Sequence, residues 1–200
     1  MASVFTAGRI LGGLAVVGLL ACGGQRCHAK PAPNEQLTAV VHPDLSGLEE
    51  LVREQLGEAR RELGLIEAKT EVGEEELSRA YGKLGKLYHA YELFESAKSC
   101  YLNAKLLSSS AFPWAYNLAR VYQRLGDLAS AACSYKQALE AEPNYIATQL
   151  RLGDLELSLD HIDDARKLFE EALRRDPSSA AALAGLGRVS SSENDLEEAI

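Results

Sequence analysis

The residues able to do chemistry on their own are few in this 200-residue sequence, and their spacing decides little in favour of catalysis. Four cysteines and four histidines show no zinc-ligand spacing, and no HExxH, GxSxG or phosphate-loop pattern occurs. Cys27 and His28 end as a covalent haem site ends, but four residues separate Cys22 from Cys27 where that chemistry uses two. Cys27 therefore reads as a cysteine of a solvated tether, and no metal or other cofactor is expected. Net charge is -8, from 21 basic and 29 acidic residues, which argues against nucleic acid as a partner because displacing phosphate counterions needs a basic surface. These residues give no positive sign of an enzyme. A composition 46% hydrophobic, 25% charged and only 6% aromatic points to an all-α protein packed through small side chains.

The elements that would position any binding residue repeat along the chain. Shifting 112–145 by 34 residues superposes like on like, with Leu84, Leu118, Leu152 and Leu186 at position 7 and Gly85, Ala119, Gly153 and Gly187 at position 8. Alanine holds position 20 (Ala97, Ala131, Ala165, Ala199), an aromatic position 24 (Tyr101, Tyr135, Phe169) and alanine position 27 (Ala104, Ala138, Ala172). Position 32 reads Ser109, Pro143 and Pro177. Over 77–200 this signature resembles the tetratricopeptide repeat (TPR) family. The resemblance implies a right-handed α-solenoid of antiparallel helix pairs that binds partners, with copies at about 78–111, 112–145, 146–179 and a truncated 180–200.

Each copy then supplies helix A at positions 1–14 and helix B at 18–31, joined by turns such as Gly126-Asp127 and Asp160-His161. Trp114, Leu118, Val121 and Leu125 form one helical stripe, so Trp114 reads as core and not as a stacking platform. Small residues at positions 8 and 20 let A and B approach, and the aromatic at 24 fills the remaining space. Glu156 and Ser190 stand at position 11 where the family has aromatics, which predicts looser packing of the last two copies. Cys100 and Cys133 fall about 100° apart on equivalent helices, so they are expected to stay unpaired, Cys100 half-buried and Cys133 exposed.

Ahead of the repeats, residues 1–22 carry Arg9 and an apolar run too short to span a bilayer, which reads as a signal peptide. Leu19-Leu20-Ala21-Cys22 resembles a bacterial lipobox, implying that Cys22 is lipidated and the chain held at a membrane of the cell envelope. Gly23 in place of aspartate leans toward the periplasmic side of the outer membrane; without lipidation the chain would be released into the periplasm. Residues 23–45 read as a flexible linker. Over 46–76 a capping helix is expected, with Ser46 and Glu49 as a capping box and an apolar face running to Leu63.

In the TPR family the concave face is lined by positions 2, 5, 6, 9, 12 and 13 of helix A. Those positions give Arg79, Lys83, Lys86 and His89, then Tyr116, Asn117, Arg120, Gln123 and Arg124, then Leu150, Arg151 and Asp154, then Arg188. Seven cations and one carboxylate line the groove of an otherwise acidic chain, which predicts an acidic protein or peptide partner. Of the carboxylate-gripping residues in the family's chaperone-binding members only Asn117 and Arg151 match, while Gly82, Lys86 and Ala147 occupy the other places. Two functions are expected from this pattern. One is an envelope scaffold for other proteins. The other is the recognition arm of a longer enzyme or cytochrome whose working domain lies beyond residue 200.

Overall fold

A computed structural model describes residues 37–108 and 110–198, with side chains as far as Glu193. Eight helices and no strand are found among the described residues: α1 (Glu50–Glu67), α2 (Glu74–Ala90), α3 (Phe94–Leu107), α4 (Phe112–Leu125), α5 (Leu128–Ala141), α6 (Ile146–Ser158), α7 (Ile162–Arg175) and α8 (Ala180–Glu198). Each helix packs chiefly on its neighbours in sequence, so α2 and α3, α4 and α5, and α6 and α7 form hairpins stacked in order. This is the architecture of a solenoid.

The 34-residue period extends to the backbone of the turns. Position 15 takes the left-handed conformation three times, at Glu92 (φ 59), Gly126 (φ 80) and Asp160 (φ 63). The following N–H closes the same helix end each time, Leu93 onto Tyr88 O at 2.8 Å, Asp127 onto Tyr122 O at 3.0 Å and His161 onto Glu156 O at 2.9 Å. These bonds satisfy carbonyls that a helix terminus would otherwise leave bare. In the fourth copy the period predicts a turn at 194–196, yet α8 runs through it to Glu198. The three formed turns are each held by a helix B folded back on its helix A, and no such helix stands among the described residues here.

Packing follows the small-against-large scheme. A Cβ placed on Gly85 would lie 3.0 Å from the Tyr101 ring, and one on Gly153 2.8 Å from Phe169. Ala97, Ala131 and Ala165 are wholly buried beneath helices A, as are the aromatics Tyr135 and Phe169. Trp114 is 7% exposed and stacks on Tyr101 with ring centroids 6.3 Å apart. It fits because residue 82 is glycine, whose missing Cβ would stand 2.0 Å from the indole. Glu156 at position 11 is also buried, its carboxylate 2.7 Å from both Lys136 Nζ and His161 Nδ1. Charge pairing thus replaces the aromatic packing found at Tyr88 and Tyr122.

Several local expectations need correction. Helix α1 starts at Glu50 with Glu49 as its cap residue and without a side-chain capping bond, so the box from Ser46 does not form. Asp44 intervenes: it accepts from the Ser46 N–H at 2.9 Å and from Ser46 Oγ at 2.8 Å. The helix also continues a turn beyond Leu63, to Glu67. Leu56, Ala59 and Leu63 bury its inner face in the core of the first repeat. Cys100 is wholly buried, and burial pushes its thiol up to about 12. Cys133 is half-buried, with Gln137 Nε2 donating to its sulfur at 3.8 Å, and neither cysteine forms a disulfide. Residues 37–45, within the expected linker, are not helical and bond to α1 and α3. No helix among the described residues is long and apolar enough to cross a membrane.

Candidate functional site

Helices α2, α4, α6 and α8 carry the expected groove residues, and side chains bridge each successive pair. Between α2 and α4, Lys86 Nζ lies 5.5 Å from the centre of the Trp114 ring. Between α4 and α6, Arg151 Nε donates to Tyr116 Oη at 3.0 Å. Between α6 and α8, Arg188 pairs with Asp154. A cation thus takes part in the contact at each of the three junctions, giving a row of cationic contacts from α2 to α8.

Neutralisation within the row is uneven. Lys83 pairs with Glu62 of α1, Arg124 with Glu92 at 2.8 Å, and Arg188 with Asp154. Two of those carboxylates come from outside the A helices, from the capping helix and from a turn, so a list of A-helix positions could not include them. Arg124 and Arg188 also stack on aromatics, with Cζ 4.8 Å above Phe94 and 5.9 Å above Phe169. Arg79 donates to the Glu75 carbonyl at 3.2 Å on its own helix. Asn117 turns its amide back onto Pro113 O at 2.7 Å, which leaves its donor committed to the first turn of α4. Lys86, Arg120 and Arg151 form no ion pair with a described residue.

Around Arg120 the groove is aromatic. Tyr116 meets Phe112 (6.0 Å), Tyr145 (5.7 Å) and Tyr135 (5.9 Å) between ring centroids, and Tyr145 is 45% exposed. Burial, with Arg120 and Arg124 nearby, holds His89 below its usual value, so the imidazole stays neutral. Burial pushes the Tyr135 phenol up to about 12, opposed by the Arg151 and Arg120 charges. Its hydroxyl donates to Gln123 Oε1 at 2.7 Å, and a neutral phenol suits that role. The arrangement offers two guanidinium groups beside an aromatic floor, able to take a carboxylate in the bidentate manner of arginine while the rings take an apolar neighbour. Phe112 and Tyr145 were absent from the sequence-derived set because they lie at positions 1 and 34, at the junction of two copies. Among the described residues no group of His, Cys, Asp or Glu could hold a metal ion. Cys22 lies outside the described residues.

Comparison with known proteins agrees with this architecture. Family descriptions named "Tetratricopeptide repeat" match residues 115–145 and 150–200. Among curated proteins, the human protein O-mannosyl-transferase TMTC2 is 34% identical over 97 residues, 47% of this chain and 12% of that protein. BtubC from P. vanneervenii superposes with a TM-score of 0.63 at 20% identity, covering 75% of this chain and 69% of that one. YrrB, described as a TPR protein with an unusual peptide-binding site, gives a TM-score of 0.59 at 21% identity over 75% and 77% of the two chains. The first TPR domain of RPAP3, solved with the HSP90 peptide SRMEEVD, gives 0.55 at 21% identity over 58% and 93%. Tetratricopeptide repeats are thus recognised in residues 115–145 and 150–200, and the described helices share the solenoid fold of those proteins.

Proposed function

We propose that this chain is a protein-interaction scaffold of the bacterial cell envelope, gripping an acidic segment of a partner in the cationic face of α2, α4 and α6. The supporting observation is that Arg120 and Arg151, on adjacent A helices, pair with no carboxylate among the described residues, while both charges act on Tyr135, which packs on Tyr116, the acceptor of Arg151. The acidic peptide carried by the RPAP3 domain supports a peptide ligand, although Gly82 and Ala147 here stand where clamp residues would be needed. Lipidation of Cys22 would hold the scaffold at the membrane, since a buried acyl chain contributes about 0.8 kcal/mol per methylene. A second reading, the recognition arm of a longer enzyme, is favoured by the resemblance to a segment of a mannosyltransferase.

Fluorescence anisotropy with a glutamate-rich peptide tests the groove. Arg120→Glu with Arg151→Glu should abolish binding and leave helical circular dichroism unchanged. Lys167→Glu with Arg174→Glu, on the exposed face of α7, is the control. Equal loss in both pairs refutes the assignment. Binding should also weaken strongly as salt rises toward 1 M, where the Debye length falls to about 3 Å. For the anchor, labelled palmitate should enter the parent chain and not Cys22→Ala, and incorporation that survives the substitution refutes it.

A further inference from the structure

On the flank away from the cationic row, the first repeat holds a piece of extended chain. Residues 37–43 run over α1 and α3, beside Tyr81, which lies about 200° round α2 from Arg79. Asn103 of α3 clasps both main-chain groups of one residue: Thr38 N–H donates to its Oδ1 at 2.8 Å, and its Nδ2 donates to Thr38 O at 2.8 Å. One turn earlier, Ser99 Oγ accepts from Val41 N–H at 3.2 Å. Val40 packs on the core of the first repeat. Arg60 then donates to Pro43 O at 3.2 Å and to Tyr88 Oη at 2.7 Å, and that hydroxyl is hydrogen-bonded with His42 Nδ1 at 3.2 Å.

Asn103 and Ser99 are 1% and 3% exposed, so α3 carries two buried polar side chains that bond to a non-helical segment, Ser99 while also donating to Ser96 O on its own helix at 2.9 Å. A buried amide left without partners is costly, which means this surface requires an extended chain across it. At the equivalent places of the second copy stand Cys133 and Gln137, where Gln137 donates to the Cys133 sulfur and accepts from Lys105 Nζ at 2.9 Å. In the first copy both side chains reach the same extended segment. Its contacts read main chain, as strand addition does, and set few demands on side chains: Leu37 is 38% and Val41 51% exposed. A segment held by so few buried groups belongs to the part of a fold that opens most readily.

We propose that the flank formed by α1 and α3 is a second peptide-binding site, filled at rest by residues 37–43. Its exchangeable ligand is an extended partner segment with a β-branched apolar residue at the place of Val40. The tethered occupant competes at an effective concentration near millimolar, so a partner gains the site when the strap is drawn away.

The test uses the whole chain and a fluorescein-labelled peptide of residues 37–45. Thr38→Pro with Val40→Asp removes one clasped N–H and the apolar contact without touching a helix, and should raise peptide affinity at least tenfold over the parent. Adding Asn103→Asp, which turns the donor to Thr38 O into a repelling oxygen, should reverse that gain. Ser99→Ala serves the same purpose if Asn103→Asp lowers the circular dichroism. Arg120→Glu with Arg151→Glu should leave binding at this flank intact. The proposal is overturned if the opened chain binds no better than the parent, if the clasp variants bind as well as the opened chain, or if the groove reversal removes binding.

Discussion

Gly82→Ala adds one carbon to α2 where the structure has no room for it. The new Cβ would lie 2.0, 2.3 and 2.7 Å from three carbons of the Trp114 ring. Ordinary contact begins near 3.4 Å, so the indole must retreat by about 1.4 Å, against Tyr101 on which it stacks. Overpacking of this kind costs about 3 kcal/mol, and alanine returns about 1 kcal/mol of helix propensity over glycine, for a net loss of about 2 kcal/mol. Gly57→Ala in α1 is the matched opposite, because its Cβ would meet only Arg61 Nη1, at 3.6 Å. It should gain up to about 1 kcal/mol from propensity alone. Urea titration followed by circular dichroism should therefore move the two midpoints in opposite directions. Trp114→Leu should make Gly82→Ala nearly harmless, by a coupling readable in a double-mutant cycle. Midpoints that shift the same way in both single variants would refute the placement of Trp114 over Gly82.

Glu156→Ala should cost about 2 kcal/mol, whereas Glu156→Leu should stay within about 1 kcal/mol of the parent, because a packed apolar side chain often replaces a buried ion pair without loss. Lys136 and His161 have half-exposed side chains and can return to water, so equal losses in a urea titration would contradict this account. Acid should destabilise the fold. Burial, then the neighbouring arginines, hold His42 and His89 below 6.5, so the unfolded chain binds more protons; their contribution is present above pH 6.5 and is lost as pH falls below it. Thermal melts across that window should flatten in His42→Gln with His89→Gln, and an unchanged slope would refute the assignment. Ala131→Phe should destabilise by about 3 kcal/mol at a site with no free space, while Cys133→Phe, two residues on and half-buried, should do little; equal urea shifts would mean the register is wrong.

The repeat carried most of the fold in its spacing. Position 8 and position 24 predict each other because a glycine on one helix is the space its neighbour's ring fills, and Gly85 with Tyr101 shows that exchange directly. Local signals at the edges of the repeat were weaker. The Ser46 capping box failed because Asp44, two residues away, offers the serine a closer acceptor. The helical pattern alone could not separate Asn103 and Ser99 from an ordinary polar face, since their partners lie 65 and 58 residues distant in sequence. Similarly, the groove cations were readable from their positions, but their neutralisation by Glu62 and Glu92 required knowing which turn and which capping helix come near.

The sequence holds a single tryptophan, and the stack places it where the first repeat meets the second. Its fluorescence therefore responds to one junction, whereas far-ultraviolet dichroism sums over every helix. In a linear array, unfolding can begin at either end and spread by neighbours, so the two signals need not fall together. Coincident curves would mean that coupling between repeats is strong enough to make the array melt as one body. Emission that changes before or after the dichroism would show which end frays first, so the parent chain carries its own gauge of how far a disturbance at one repeat travels.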